Sequence, residues 1–133
     1  MKPYVLDADS LKAFLENSSG ATTVEDLLWK TVQSQQRLFV SVLSWNYLFS
    51  TVWRSNGESV AREKMKQLAQ LPIEVVDVGD AEAAVAAQLS ATSGLEYFDC
   101  IAAATAQQRR TTLVTTNKEL AKLSGTVKIL LVE

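Results

Sequence analysis

The sequence contains no histidine and only one cysteine, Cys100, among its 133 residues. The absence of histidine excludes Ser-His-Asp and Cys-His catalysis, a histidine general base and histidine metal ligands. A single cysteine excludes a disulfide within the chain and any zinc site built from several thiolates. We therefore expect any catalysis by this chain to depend on carboxylates, hydroxyls, lysine or a bound metal ion.

Long apolar runs are also missing, since no stretch approaches the roughly 18 residues that indicate a membrane span. The first residues lead into a strand-like segment without the apolar stretch of a signal peptide, so we expect a cytoplasmic protein that does not contact a membrane. The net charge of −2 gives no overall attraction to nucleic acid, which would need a local basic patch. The length and the 47% apolar content predict one globular domain, residues 1–133.

Apolar strand-like segments alternate with segments of helical period along the chain. Strands are predicted at 4–7, 38–42, 73–76, 112–115 and 128–131. Helices are predicted at 10–16, 21–35, 43–54, 58–70, 80–93 and 97–109, with a short one at 118–123. Strands separated by helices form a mainly parallel sheet that is covered on both faces. The pattern therefore predicts an α/β fold, in which sites form beyond the carboxyl ends of the strands.

Polar residues follow these predicted strands where each one ends. Asp7 ends the first strand, Asp9 follows it, and Asp99 lies near the start of the 97–109 helix. A charged aspartate at the end of an apolar strand is costly to desolvate unless it is paired or binds a cation. Carboxylates that converge from separate elements suit Mg²⁺ or Mn²⁺, which prefer oxygen ligands. The fourth strand ends in a further polar group, which consists of Thr115, Asn117 and Glu119.

Each of these residues also has a purely structural interpretation. Asp9 or Ser10 could cap the N-terminus of the first helix, and Asn117 could cap the short helix that follows it. Asp99 could be a first-turn acid that the helix dipole favours. Cys100 is typical of a small buried hydrophobic residue rather than a nucleophile. Taken one by one, the residues leave both interpretations open.

Aromatic and basic residues also cluster along the chain. Trp45, Phe49 and Trp53 recur at the spacing of one helical face, which favours core packing over a groove for a partner helix or a second copy. The basic residues form three groups and are typical of a solvated surface, although any group that folds beside the acidic residues could contact phosphate. These groups are Arg54, Arg62, Lys64 and Lys66; Arg109 and Arg110; and Lys118 and Lys122.

Four segments, taken in order, resemble motifs of the PIN-domain ribonucleases, particularly the VapC-like toxins of type II toxin–antitoxin pairs. They are YVLDADSL from Tyr4, VSVLSWNYL from Val40, FDCIAAATA from Phe98 and LVTTNKEL from Leu113. The resemblance spans nearly the whole chain. It implies a three-layer fold whose five-stranded sheet has the order 3-2-1-4-5, with strand one at the centre.

The resemblance also assigns roles to individual residues. It implies that Asp7 and Asp99 are metal ligands. Asp9 stands where family members often have a small polar residue, so this chain gains a carboxylate there that would serve as an auxiliary ligand. It places Tyr47 where the family has a glutamate and Asn117 where it has an aspartate, so two of four acidic positions are neutral. Thr115 and Asn117 would position water or phosphate, and Asn117 would lie on the wall of the site. Glu119 is a potential substitute for a missing acid.

The function that the resemblance implies is a Mg²⁺- or Mn²⁺-dependent endoribonuclease that cleaves RNA through a metal-activated water. The implied partners are RNA, an antitoxin protein and a second copy of the chain in a homodimer. The neutral residues Tyr47 and Asn117 favour an alternative, a catalytically silent PIN-like domain that binds RNA or a protein. A third hypothesis is an unrelated small α/β binding domain, although the chain has no Walker loop or G-x-G-x-x-G motif.

Overall fold

A computed structural model describes residues 2–33 and 36–133 of the chain. Within these ranges the chain forms five strands, six α-helices and one 3-10 helix. The strands are β1 (Lys2–Leu6), β2 (Gln36–Ser41), β3 (Ile73–Val76), β4 (Thr112–Thr115) and β5 (Lys128–Leu131). The α-helices are α1 (Ala8–Glu16), α2 (Ala21–Val32), α3 (Val42–Asn56), α4 (Glu58–Ala69), α5 (Asp80–Ser93) and α6 (Tyr97–Gln108). The 3-10 helix is Lys118–Leu123.

The five strands form one sheet in the order β3-β2-β1-β4-β5, and every neighbouring pair is parallel. This confirms the predicted α/β class, the 3-2-1-4-5 order and the central position of β1. The chain order reverses between β1 and β4, which are hydrogen-bonded neighbours. The carboxyl ends of these two strands are therefore where a parallel sheet of this type places its ligand site.

Alternate residues of the central strands point into two separate cores. Val5, Phe39 and Leu113 pack with residues of α5, α6 and the 3-10 helix on one face of the sheet. On the other face, Leu6 and Val114 pack with residues of α1, α2, α3 and α4. Because both faces are covered, the sheet is the middle of three layers, as predicted.

Several predicted boundaries differ from the structure, and the end of the first strand is the one that bears on the site. The first strand ends at Leu6, so Asp7 is not a strand residue but the N-cap of α1. The predicted 21–35 helix ends at Val32, and the residues Ser34 and Gln35 lie outside the described part of the chain. In the part of the chain that the structure describes, no helix combines the length and the hydropathy needed to cross a membrane.

Gly20 sets the start of α2 and packs close to the end of β4. Its φ is 96°, and a Cβ there would lie 3.0 Å from Val132 Cγ2 and 3.1 Å from Thr116 Cγ2. We expect Gly20→Ala to lower the free energy of unfolding by about 2–3 kcal/mol, since it adds left-handed strain and a steric clash. Gly94 is the control, because its φ is 77° and nothing lies near its missing Cβ. Urea unfolding of the two alanine variants checks this prediction. Equal losses in the free energy of unfolding would contradict the steric clash at Gly20.

Candidate metal centre

Asp7 is a buried N-cap at the carboxyl end of the central strand. Its carboxylate Oδ1 accepts a hydrogen bond of 2.8 Å from the Ser10 backbone N–H, and its own N–H donates to Ser10 Oγ at 3.1 Å. The sequence analysis gave this capping role to Asp9 or Ser10, and the structure assigns it to Asp7. The cap holds the Asp7 side chain in a fixed orientation.

Burial raises the pKa of Asp7 from 3.8 to about 6, and the negative charge of Asp9 contributes in the same direction. Hydrogen bonds from the Thr115 side chain and from Ser10 oppose the rise because they stabilise the ionised carboxylate. The pKa is still raised, so these bonds compensate only part of the cost of burying the charge. A cation bound beside Asp7 would offset more of that cost.

A cavity of about 300 Å³ opens beside Asp7. Its acidic residues come from three places in the chain: the start of α1, the residue before α6 and the first turn of α6. The residues that line it are Asp7, Ala8, Asp9, Ser44, Tyr47, Glu96, Phe98, Asp99 and Ala102. The structure therefore brings together the three predicted metal ligands, Asp7, Asp9 and Asp99.

The carboxylates in this cavity influence one another. Burial raises the pKa of Asp99, and the nearby charges of Asp9 and Glu96 raise it further. Asp9 thus acts electrostatically on both Asp7 and Asp99. Like charges that repel each other across one cavity are the groups that a divalent cation would neutralise.

The chemistry of these residues fits a hard divalent cation, since all four acidic side chains offer oxygen ligands. In residues 2–33 and 36–133, however, no three histidine, cysteine, aspartate or glutamate side chains form a cluster that could hold a metal ion. The acidic side chains line one cavity, but they are too far apart to form a ready metal site. A cation would have to draw Asp9 and Asp99 towards the fixed carboxylate of Asp7.

The polar residues at the end of β4 and beyond it are not among those that line the cavity. Thr115 is buried and hydrogen-bonds to the Asp7 carboxylate, while its Oγ1 accepts a 3.0 Å bond from the Asn117 backbone N–H. Asn117 is not among the residues that line the cavity, where the resemblance placed it; its side chain caps the 3-10 helix by accepting from the Glu119 N–H at 3.0 Å, which is the structural role that the sequence also predicts. Glu119 also lies outside the lining and pairs with Lys122 at 2.9 Å.

Tyr47 lines the cavity as the resemblance implies, and its ring packs against Phe98. Besides Ala8 and Ala102, three lining residues were not predicted from the sequence, and these are Ser44, Phe98 and Glu96. Glu96 could have been found from its spacing, because it precedes Asp99 by three residues and therefore lies on the same side of a first helical turn. Ser44 lies at the start of α3, where its N–H donates to the N-cap Ser41 at 3.0 Å.

The aromatic face of α3 serves packing. Trp45 and Phe49 are half-buried against the core that α3 shares with α4, and Arg62 lies over the rings of Phe49 and Trp53. Arg62 also pairs with Glu58 at 2.8 Å, so it does not reach the acidic cavity. This arrangement agrees with the core-packing interpretation for Trp45 and Phe49, whereas Trp53 is exposed to solvent.

Arg109 and Arg110 lie at the edge of the sheet opposite the acidic cavity. Arg109 shares a surface depression with Pro3 and Arg37, and Arg110 shares one with the first residues of β4 and β5. The acidic cavity is at the carboxyl ends of the strands and these depressions are at the amino ends. The two arginines therefore do not contact a phosphate that is bound at Asp7.

Cys100 is fully buried within α6, directly after Asp99. Burial raises the pKa of its thiol, and the neighbouring charge of Asp99 raises it further. A buried thiol with a raised pKa is a poor nucleophile, as the sequence analysis expects.

Comparisons with known proteins place this geometry in a family. No curated protein sequence matches the chain significantly. Solved structures do match. The chain is similar to VapBC2 from Rickettsia felis, solved bound to a promoter DNA fragment, with 17% identity, 98% and 99% of the two chains covered and a TM-score of 0.77. The chain is also similar to DNA-bound VapBC from Salmonella typhimurium, with 19% identity, 98% of each chain covered and a TM-score of 0.77.

A third similar structure is Mycobacterium tuberculosis VapC20, which is described as a toxin that cleaves the sarcin–ricin loop. The identity is 12%, the coverage is 94% of this chain and 97% of that one, and the TM-score is 0.71. At these identities the likeness shows a shared fold. The family model for the PIN domain matches residues 4–125, a span that includes Asp7, Tyr47 and Asp99. Since that span is most of the sequence, the chain belongs to the PIN domain family.

Proposed function

We propose that this protein is a divalent-metal-dependent endoribonuclease of the toxin–antitoxin type. The observation that carries the proposal is the convergence of Asp7, Asp9 and Asp99 on one cavity at the point where the strand order reverses. Membership of the PIN domain family supports it. The similar VapC20 is described as an RNA-cleaving toxin, which supports RNA as the substrate.

Asp7, Asp9 and Asp99 would hold the ion, Mg²⁺ or Mn²⁺. Bound there, the ion would lower the pKa of a water molecule and neutralise the charge that develops on a phosphodiester. Ser10 and Thr115 hold the Asp7 carboxylate in place, and the Asn117 backbone holds Thr115. Thr115 and Asn117 would therefore support the position of the Asp7 carboxylate. Glu96 adds a fourth negative charge to the cavity.

An apolar cleft that is lined mainly by residues of α2 supports an antitoxin as the protein partner. The cleft has a volume of about 400 Å³ and is lined by Phe14, Glu25, Leu28, Trp29, Val32, Leu71 and Pro72. Trp29 and Val32 are 60% and 61% exposed, which is unusual for large apolar side chains unless they meet a partner. An amphipathic helix of an antitoxin fits such a cleft. Similar chains were solved as VapBC complexes.

The function is tested by RNA cleavage with Mg²⁺, Mn²⁺ or a chelator. We expect Asp99→Asn to lower the cleavage rate at least about 100-fold, because it removes a charged ligand of the metal. Asp26→Asn is the matched control, since Asp26 lies on the exposed face of α2 and pairs with Lys30. Equal cleavage by native protein and Asp99→Asn would refute the proposal.

The silent PIN-like domain is the second candidate function, and two observations favour it. Tyr47 is uncharged at an expected ligand position, and the Asn117 side chain is used as a helix cap. Under this alternative the native protein binds RNA or a protein partner but leaves RNA intact with either metal. The same cleavage experiment, run beside an RNA-binding measurement, separates the two candidates.

A further inference from the structure

Tyr47 and Phe98 form an aromatic pair on the wall of the acidic cavity. The two rings come from the second turn of α3 and the first turn of α6, and their centroids are 4.6 Å apart with an interplanar angle of 39°. Both residues line the cavity together with the carboxylates of Asp7, Asp9 and Asp99. Tyr47 is 45% exposed, so much of its ring is open to a ligand.

Two other exposed aromatic residues are already used by the fold. Trp53 lies under the Arg62 guanidinium, 5.4 Å from its ring centroid. The Tyr97 hydroxyl donates to the Ala83 carbonyl at 3.2 Å. Tyr47 differs because its ring contacts Phe98 and also lines the acidic cavity. An exposed ring in a concave acidic site is available for recognition.

We propose that Tyr47 and Phe98 stack against an unpaired nucleobase of single-stranded RNA whose phosphate lies at the carboxylates. The proposal rests on the ribonuclease function and adds how the substrate is held. Every base has a flat π face, and proteins bind unpaired bases on such aromatic residues. The cavity volume of about 300 Å³ lies at the lower end of the range of small-ligand sites.

An arginine side chain from a protein partner is the competing occupant, because a guanidinium also stacks on an aromatic ring and pairs with carboxylates. The presence of Tyr47 argues against it. Where the family resemblance places a glutamate, this chain has a neutral ring, which removes a charge that a cation would seek and adds a surface that a base would use. Because both occupants can stack on the ring, the charge that is missing at residue 47 is what favours the nucleobase over the guanidinium.

The experiment measures binding of a short fluorescein-labelled single-stranded RNA in Ca²⁺, which takes the same oxygen ligands as Mg²⁺, with the RNA shown to remain intact. We expect Tyr47→Leu to weaken binding about tenfold, as loss of one stacking contact does. Tyr47→Phe keeps the ring and should bind like the native protein. Trp53→Leu is the matched control on the same helix and should also leave binding unchanged.

A second probe is an RNA of the same length whose bases are removed. We expect it to bind weakly to the native protein and equally weakly to Tyr47→Leu, because only the base contacts the ring. Unchanged affinity in Tyr47→Leu, or the same loss for RNA with and without bases, would overturn the proposal. The proposal would also be overturned if an arginine-rich peptide bound through Tyr47 and RNA failed to displace it. Tyr47-dependent RNA binding without cleavage in Mg²⁺ or Mn²⁺ would confirm the stacking site and refute the ribonuclease.

Discussion

Asp7→Asn is expected to stabilise the metal-free protein near pH 7.5 while abolishing metal binding. The ionised carboxylate of Asp7 is buried, and burial raises its pKa to about 6. Asparagine is as good an N-cap as aspartate, so the bond from the Ser10 N–H is retained without a buried charge. The gain in the free energy of unfolding should reach at most about 3 kcal/mol, or about 10 °C in Tm.

The pH dependence of this gain follows from the direction of the pKa change. The folded protein retains the Asp7 proton up to about pH 6, whereas an ordinary aspartate loses it near 3.8. The folded state therefore binds more protons between these values, and the free energy of unfolding falls as the pH rises through this window. Native protein and Asp7→Asn should be nearly equal in stability below pH 4 and differ fully above pH 6.

Thermal unfolding across this pH range, with chelator and with Mn²⁺, measures both effects. Mn²⁺ should raise the Tm of the native protein and leave that of Asp7→Asn unchanged. Below about pH 6 the native response should also weaken, because protons compete with the cation for Asp7. If Asp7→Asn is less stable than the native protein at every pH, the charge of Asp7 does not destabilise the folded state.

Tyr47→Glu is expected to strengthen Mn²⁺ binding about tenfold or more. The substitution adds a carboxylate to a cavity that already holds Asp7, Asp9 and Asp99, and each added charge beside a dication is worth several kcal/mol before solvation reduces it. The same variant should be less stable without metal, because it crowds like charges and loses the ring contact with Phe98. Affinity and metal-free stability should thus move in opposite directions.

Tyr47→Gln is the matched control, since it has the shape of glutamate without the charge. Calorimetric titration with Mn²⁺ should show the increase in Tyr47→Glu alone, and the increase should shrink with added salt. Adding Asn117→Asp should change the affinity little, because Asn117 caps the 3-10 helix outside the cavity. Equal affinities for Tyr47→Glu and Tyr47→Gln would mean that residue 47 is not beside the bound ion.

Much of the fold could be predicted because its main determinants are local. Each strand is a short apolar run between helical segments, and parallel connections leave few topologies for such a pattern. The strand order came from the family resemblance, and the structure has the same order. The boundary after Leu6 was harder to predict, because an aspartate that follows an apolar strand can be the last residue of that strand or the N-cap of the next helix. Here the capping bond between Asp7 and Ser10 decides the outcome.

The site was predicted less completely. Asp7 and Asp99 were found because strand ends and helix starts meet at one edge of a parallel sheet. For Asn117 the sequence offers two roles, a cap for the short helix and a place on the wall of the site, and the structure shows the cap, in which the Asn117 side chain accepts a bond from the Glu119 N–H. Phe98 was missed as a cavity residue because an aromatic residue in a helix usually indicates core packing.

Because Cys100 is buried in α6, its reaction with a thiol reagent reports the opening of that helix. Cys100 lies next to Asp99 and is the only thiol in the sequence. A thiol reagent can reach it only when α6 opens, so the rate of modification of the native protein measures that opening. A cation that draws Asp99 towards Asp7 would hold the start of α6 closed. The labelling rate would then register metal binding without any added probe.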